Sequence, residues 1–287
     1  MKPPPFIYHD PRTLAAALRL LGTLDNAKLL AGGQSLAPML NFRYVLPDHV
    51  VDLNRVDELA GVRIDGRRIR AGAMTRQRAL EKDASLARLC PILREALAEV
   101  GHFQTRNRGT IGGSLAHLDP AAELPGVMAL YDAEIEVASA KGRRTVPIRD
   151  WSRGYMTPNL EPDEIVTAVS WEPWQDRHGH AFLELARRRG DFAIVGVGCL
   201  LALDARDVVK RAAISLVGVA YGPVRLAAAE ERLIGAAFDA PAVEAAAAEA
   251  RRLEAKSDLY ASGAYRQRIA GVLVARALQK AYERARG

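Results

Sequence analysis

The distribution of apolar and polar positions predicts both helices and strands along this chain. Between 10 and 21, leucines recur at helical spacing and a glycine follows, which predicts an amphipathic helix. Between 68 and 75, RIRAGAMT, apolar residues alternate with others and predict a strand. The segment 192–203, FAIVGVGCLLAL, is the longest apolar run. It is too short to span a bilayer, and its β-branched residues and glycines predict a buried strand.

The same patterns predict an ordered series of further elements. Strands are predicted at 28–31, 49–53, 133–138, 144–148, 181–187 and 210–219, and helices at 76–81, 91–100, 124–130, 228–234, 242–253 and 265–284. A short helix with Met39 and Leu40 has Ser35 as its expected cap, and Thr75 is the expected cap of the helix at 76–81. Prolines, tryptophans and charges at 171–180 predict a boundary, after which three strands and alanine-rich helices form a small α+β unit.

The composition is that of a globular protein with an ordinary hydrophobic core. Its 287 residues are 49% hydrophobic, enough for two domains or three. The net charge of +6 is spread along the chain, which favours a solvated surface over a nucleic-acid interface. Only Cys90 and Cys199 are present, so the chain holds no four-cysteine iron–sulfur centre, and a reducing, cytoplasmic compartment is expected. The proline-rich start, MKPPPFIYHDP, is unlike a secretory signal.

Two stretches with adjacent glycines carry the strongest chemical signal. They are LAGGQSL at 30–36 and TIGGSLAHLDPAAE at 110–123. Adjacent glycines let a ligand approach the backbone, and helix starts carry unpaired N–H donors. Either stretch alone is typical of a turn. As a pair they predict a diphosphate site, and because neither has the Rossmann or P-loop pattern, FAD is favoured over NAD or ATP.

No other cluster of residues points to catalysis within the chain. The six histidines lack the spacing of a zinc site, and no Ser-His-Asp order or acid–base pair emerges, so no catalytic and no metal residues are predicted. His117 either lines the cofactor pocket or is a solvated loop residue. Asp119 is expected to cap a helix that begins near Pro120, and Glu123 is expected to accept hydrogen bonds from ribose hydroxyls.

Three motifs together resemble a known family. LAGGQSL at 30–36, TRNRGTIGGSLAHLDPAAELP at 105–125 and RRRGDFA at 187–193 are similar to the FAD-binding medium subunit of the molybdenum hydroxylases, the family of aerobic carbon monoxide dehydrogenase and bacterial xanthine dehydrogenase. The resemblance implies an α+β fold in which a two-part, vanillyl-alcohol-oxidase-like (PCMH-type) FAD-binding domain spans 1–175, divided at about 55/56. A C-terminal domain with a three-stranded sheet and a helix bundle follows at 176–287.

The resemblance also implies partners and a function. A small subunit with two [2Fe–2S] clusters and a large molybdopterin subunit are expected, usually as a dimer of heterotrimers. Substrate is oxidised at molybdenum, and this chain's FAD passes the electrons from the clusters to an external acceptor. The alternatives are a free-standing FAD-dependent oxidoreductase of the same domain superfamily and, from another class, a basic module that binds nucleic acid.

Site residues follow from the resemblance by position. The expected FAD contacts are Lys28, Leu30, Ala31, Gly32, Gly33, Gln34, Ser35, Leu36, Gly101, Gly109, Thr110, Ile111, Gly112, Gly113, Ser114, Ala116, Glu123, Asp191 and Phe192. The last two are expected at the isoalloxazine ring, where relatives often have tyrosine or isoleucine in place of the phenylalanine. Gln34 replaces a histidine of the carbon monoxide dehydrogenases, and Glu184 replaces a lysine. Both departures favour an organic substrate, an N-heterocycle or an aldehyde, over carbon monoxide.

Overall fold

A small parallel sheet forms the start of the fold. The computed structural model describes all 287 residues. The sheet contains β1 (Ile7–His9), β2 (Ala27–Leu30) and β3 (His49–Asp52), with β3 in the centre. Helix α1 (Leu14–Thr23) crosses from β1 to β2, and short α2 (Leu36–Asn41) lies between β2 and β3. The strand, glycine turn and helix predicted around Gly32 are therefore confirmed.

Two predictions about helix starts in this region are wrong. The first helix begins at Leu14 and not near position 10, because the hydroxyl of Thr13 accepts the hydrogen bond from the Ala16 N–H. At α2, Ser35 has a helical backbone conformation and its side chain makes no capping hydrogen bond. The prediction that the Ser35 side chain caps this helix is therefore wrong.

A five-stranded antiparallel sheet forms the middle of the chain. Its strands are β4 (Val62–Asp65), β5 (Arg68–Gly72), β6 (Glu134–Ser139), β7 (Gly142–Pro147) and β10 (Ile165–Trp171), in the order β4-β5-β10-β6-β7. A minor hairpin, β8 (Ser152–Gly154) and β9 (Thr157–Pro158), precedes the central strand. The hairpin of β6 and β7 was predicted, whereas β4 and the fully buried β10 were not.

Six helices lie between β5 and β6 along the chain, and one of them carries the second glycine pair. They are α3 (Gln77–Lys82), α4 (Ala84–Leu89), α5 (Pro91–Glu99), α6 (Phe103–Arg108), α7 (Ile111–His117) and α8 (Glu123–Leu130). Thr75 is not the predicted cap of α3, because its hydroxyl donates to the carbonyl of Gly61 instead. The helix expected near Pro120 begins at Glu123, because Asp119 accepts the Ala121 N–H and closes a tight turn before it.

Residues 178–287 form a second antiparallel sheet backed by helices. The meander contains β11 (His178–Leu185), β12 (Val195–Leu203), β13 (Val209–Val217) and a two-residue β14 (Val224–Arg225). The expectation of three strands is therefore corrected to four, because the chain turns back after β13 and pairs briefly. Helices α9 (Ala227–Leu233), α10 (Ala240–Arg251) and α11 (Gly263–Arg286) follow.

This second sheet packs on helices from both sides. One face meets α11, where a Cβ atom on Gly179 would overlap the carbonyl of Ala281. The other face meets α8, where the Ser215 hydroxyl donates to the carbonyl of Gly126 at 2.8 Å. The apolar core is continuous across this second contact and includes residues of α8, β12 and β13. The two sheets are thereby fixed relative to one another through α8.

Candidate cofactor site

The turn after β2 presents a row of unused hydrogen-bond donors. Gly33 has φ of +73°, a left-handed conformation that glycine adopts without strain. The backbone N–H groups from 32 through 36 have no acceptor within the chain. Backbone donors without a partner are rare in folded proteins unless water or a ligand accepts from them. Five consecutive donors in a turn therefore suit an anionic group such as a diphosphate.

The second glycine pair is built differently. Gly112 and Gly113 lie in the first turn of α7, not in a loop as predicted. The Gly112 N–H donates to the carbonyl of Ala73 at 2.8 Å, and the Gly113 N–H donates to the side-chain oxygen of Thr110 at 3.0 Å. The donors at this helix start are thus used by the protein itself. The expectation of unpaired donors at both glycine pairs is met only at the first.

The glycines of both pairs allow close packing of backbones. A Cβ atom on Gly32 would overlap the carbonyl oxygen of Arg108 and would lie 2.7 Å from the Cα atom of Gly109. A Cβ atom on Gly113 would lie 3.4 Å from that of Ala31. The segments at 31–33 and 108–113 are therefore in contact and form one continuous wall. Sequence reasoning paired these two stretches, and the structure places them together.

Two side chains that the sequence did not single out tie this wall together. Asn54, just after β3, donates to the carbonyl of Ala31 at 2.9 Å. Arg76 donates to the side-chain oxygen of Asn54 and to the carbonyl of Arg108. Burial, followed by repulsion from Arg108, lowers the pKa of Arg76 from its ordinary value. No local pattern marks either residue, since their role depends on segments that are distant in the chain.

The turn before α6 is held by a buried ion pair. Arg106 is 8% exposed, and its guanidinium pairs with Glu81 at 2.9 Å. The same group donates to the carbonyls of Val100 and Gly101. Gly101 has φ of +46°, so the turn is both glycine-dependent and anchored. This anchoring positions the entry to the second glycine segment.

The segment that was expected at the isoalloxazine ring meets the same turn. Asp191 pairs with Arg187 and Arg188, at 3.4 and 3.0 Å, which shapes the loop between β11 and β12. Gly190 lies against the imidazole ring of His102. Phe192 lies outside β12 and is 71% exposed, so the strand predicted to begin there begins at Val195 instead. An exposed aromatic beside this turn is available to a flat ligand or a partner surface.

Other predicted site residues have more varied surroundings. Lys28 lies at an exposed position of β2 and forms no ion pair. His117 is at the end of α7, and burial lowers its pKa, so the imidazole is neutral near pH 7. Glu123 is buried, and burial raises its pKa to about 8. The structure contains no group of three or more His, Cys, Asp and Glu residues that could hold a metal ion.

Comparison with known proteins defines the class. Residues 4–171 match the model of the FAD binding domain in molybdopterin dehydrogenase, and residues 180–281 match the CO dehydrogenase flavoprotein C-terminal domain. The chain therefore belongs to the family of FAD-binding medium subunits of the molybdenum hydroxylases, as its motifs indicated. It is the FAD-binding component of an oxidoreductase complex, and its α+β architecture is that of this family.

Individual relatives match over the whole length. The alpha subunit of the 6-hydroxypseudooxynicotine dehydrogenase complex of Paenarthrobacter nicotinovorans is 40% identical over 100% of this chain and 97% of that protein. The carbon monoxide dehydrogenase medium chain of Afipia carboxidovorans is 37% identical over 100% of both. Among solved structures, quinoline 2-oxidoreductase from Pseudomonas putida 86 superposes with a TM-score of 0.95, at 35% identity over 99% of both chains.

The residues present fit FAD. The free N–H groups at 32–36 suit its diphosphate, and the glycines let the segments at 31–33 and 108–113 pack closely beside them. None of the helices combines the length and the apolar character that a membrane-spanning helix requires.

Proposed function

We propose that this chain transfers electrons through FAD within a heterotrimeric molybdenum hydroxylase. Electrons arrive from [2Fe–2S] clusters on a small partner subunit and leave to an external acceptor, while substrate is oxidised at a molybdopterin site on a large partner subunit. Two heterotrimers form the complete dimer. The five free backbone N–H donors at 32–36 carry this proposal, because they form a site for an anion. The chain offers no acid–base pair for substrate chemistry, which agrees with a role in cofactor binding.

The chain's own residues bind and orient the cofactor. The N–H groups from Gly32 through Leu36 hold the diphosphate, while Leu30 and Ala31 lead into this turn. The second segment supplies its far wall, and the residues assigned to it are Gly109, Thr110, Ile111, Gly112, Gly113, Ser114 and Ala116. Bound FAD supplies a carrier that accepts two electrons and releases them singly or in pairs.

Polar and aromatic groups at the edges of the site complete the assignment. Glu123 is assigned to ribose hydroxyls, and Gly101, Asp191 and Phe192 are assigned to the isoalloxazine end. The contact between Gly190 and His102 supports this grouping, since it joins the two segments concerned. Lys28 and Gln34 are assigned to the outer edge of the diphosphate turn.

The division of the chain and its location belong to the same proposal. The FAD-binding domain spans 1–175, in two parts at about 1–55 and 56–175, and the C-terminal domain spans 176–287. The separate parallel, central and C-terminal sheets support this division. A cytoplasmic location is supported by two buried cysteines that remain free.

An N-heterocycle or an aldehyde is the proposed substrate of the complex. Gln34 and Glu184 replace residues expected in carbon monoxide dehydrogenases. Relatives named for quinoline and for 6-hydroxypseudooxynicotine agree with an organic substrate.

The test is co-expression of this chain with a cysteine-rich small subunit and a molybdopterin large subunit. The expected complex contains flavin, iron and molybdenum, and an N-heterocycle bleaches its flavin absorbance anaerobically. The chain alone, loaded with FAD, is expected to leave the same substrate unchanged. Oxidation of substrate by the chain alone would favour a free-standing oxidoreductase, and a chain without flavin in every preparation would contradict the FAD assignment.

A further inference from the structure

A cleft of about 840 Å³ lies where the segment between the two main parts of the chain meets helices from both. Its walls come from the end of α4, the start of α5, the connecting segment at 174–178 and the last turns of α11. A cleft of this volume can hold a small molecule. No residue assigned to FAD lines this interdomain cleft, so it is separate from the cofactor site.

Arginine side chains give the interdomain cleft its positive charge. Arg88 of α4 and Arg177 of the connecting segment both line it, and neither forms an ion pair. Arg177 donates to the carbonyl of Arg286, an uncharged acceptor that leaves the guanidinium charge uncompensated. Arg284 also lines the cleft, but it is paired with Glu95 at 2.6 Å. Two guanidinium groups are therefore available to an anion.

The acidic side chains in the walls do not cancel this charge. Asp176 is paired with Lys210 at 3.0 Å, and Glu283 accepts a hydrogen bond from Gln279 at 3.0 Å. Two unpaired arginine charges thus face one acidic side chain that no cation neutralises. A planar guanidinium group matches the oxygen atoms of a carboxylate or a phosphate with two parallel hydrogen bonds. The walls therefore favour a ligand with one of these groups.

Two polar ring atoms in the same walls have no partner within the chain. Trp174 is 6% exposed, and its indole N–H has no acceptor. The Nδ1 atom of His178 donates to the carbonyl of Asp176 at 2.8 Å, and its Nε2 atom is buried without a partner. The two rings are neighbours, with centroids 5.5 Å apart. Buried polar atoms in folded proteins nearly always have a partner, so this pair indicates a place that a ligand completes.

The chemistry of these two atoms narrows the class of ligand. The indole N–H of Trp174 can only donate, which suits an oxygen atom of an anion. With its proton on Nδ1, neutral His178 presents Nε2 as an acceptor, which suits a hydroxyl group. The guanidinium of Arg211 lies 4.0 Å from the centroid of the Trp174 ring and holds the indole in place.

We propose that the interdomain cleft binds a hydroxylated small molecule that carries a phosphate or a carboxylate group. Arg88 and Arg177 bind the anionic group, Trp174 donates to one of its oxygen atoms, and His178 accepts from a hydroxyl group. Because the walls come from both parts of the chain, the bound molecule joins them and stabilises the folded state. This site is independent of the proposed function, since it uses none of the residues assigned to FAD.

The first experiment titrates the full chain with inorganic phosphate, glucose 6-phosphate and citrate at constant ionic strength, by calorimetry. Saturable binding of one molecule per chain is expected for at least one hydroxylated anion, with higher affinity than for inorganic phosphate. Preference for glucose 6-phosphate indicates a phosphate ligand, and preference for citrate indicates a carboxylate. Saturable binding of none of the three, or equal affinity for all of them, would overturn the proposal.

Variants then place the binding in the cleft. Arg88→Gln and Arg177→Gln are each expected to weaken binding at least tenfold, because each removes a charge-assisted hydrogen bond. Both side chains are exposed, so the fold is expected to be retained. Arg63→Gln is the matched control, since it removes an exposed, unpaired arginine of β4 outside the cleft and is expected to bind normally. An equal loss in all three variants would show a general charge effect and overturn the site.

Trp174→Phe tests the indole N–H separately from the charge. Phenylalanine keeps an aromatic ring beneath Arg211 but cannot donate, so weaker binding is expected with native circular dichroism. The ligand is also expected to change the tryptophan fluorescence of the native chain and to leave that of Trp174→Phe unchanged, although Trp151 and Trp171 remain. Native affinity together with a native fluorescence response in Trp174→Phe would place the ligand elsewhere and overturn the proposal.

Discussion

Gly32 and Arg108 approach so closely that a Cβ atom on Gly32 would overlap the carbonyl oxygen of Arg108. The two residues are brought together by the parallel sheet on one side and by α6 and α7 on the other. The overlap is with backbone, which cannot rotate away as a long side chain can. A methyl group at this position must therefore separate the two halves of the wall.

Gly32→Ala is expected to weaken FAD binding by at least tenfold and to lower the stability of the chain. The physical reason is that the added methyl group displaces the turn whose N–H groups suit the diphosphate. Flavin fluorescence titration gives the affinity, and circular dichroism checks folding. Gly22→Ala is the matched control, since nothing lies within 4 Å of its Cβ position in α1. That control is expected to bind FAD normally and to gain about 0.5 kcal/mol of stability. Equal affinity of both variants would contradict the role of the wall.

Arg76→Ala is expected to loosen the same wall without adding bulk. It removes the donors to Asn54 and to the carbonyl of Arg108, which leaves the partly buried side-chain oxygen of Asn54 without a donor. The expected loss is about 1–3 kcal/mol of unfolding free energy, measured by denaturant titration. Asn54→Ala is expected to have a similar effect, and the double variant less than the sum, because the residues form one chain of hydrogen bonds. Strict additivity would show that the two side chains act independently.

The stability of the chain without FAD is expected to fall as pH rises above neutrality. Glu123 and Glu184, with native pKa values of about 8 and about 9, bind protons that the unfolded chain has already lost above its ordinary value of 4.5. Unfolding free energy therefore decreases with pH until the native pKa values are passed, by about 3 kcal/mol between about pH 7 and about pH 8.5. His180, whose pKa is lowered to about 4 by burial, has the opposite effect, but only below about pH 6.5.

Chemical denaturation at several pH values measures this slope. Glu123→Gln and Glu184→Gln are each expected to flatten it, because glutamine has no proton to lose. Glu164→Gln is expected to lower the unfolding free energy equally at every pH in this window, because Arg144 loses its partner at each of these pH values. The dependence of the unfolding free energy on pH is therefore expected to stay native. A native chain that is equally stable at both ends of the window would show that the pair is already ionised at pH 7.

Arg266→Met is expected to destabilise the C-terminal part by about 3 kcal/mol. Arg266 is 2% exposed, and it donates to the carbonyls of Ile194 and Gly218 and to the carboxylate of Asp258. Hydrogen bonds to Asp258, including those from the backbone N–H groups of Tyr260 and Ala261, lower its pKa to about 2 despite partial burial. Thermal unfolding of Arg266→Met and Asp258→Asn compares the two partners, and the loss is expected to be larger for the buried arginine.

Local sequence patterns predicted much of the secondary structure because each pattern concerns neighbouring residues. The hairpin at 134–147, helix α5 and the long strands β12 and β13 were all recognisable from periodicity or apolar runs. The misses have a common cause. Thr75 and Asp119 have side chains typical of helix caps, but both make other hydrogen bonds. Thr75 donates to a carbonyl elsewhere in the fold, and Asp119 accepts within a local turn.

The sequence by itself determined the class of this protein and its cofactor, because the two glycine pairs and the RRRGDFA motif are local features that a family retains. It also determined the absence of an iron–sulfur cysteine set from this chain. Only the tertiary structure decided that the free donors lie at the first glycine pair alone and that Asn54 and Arg76 join the wall. These relationships depend on the path of the chain through three sheets, which brings together residues that no local period relates.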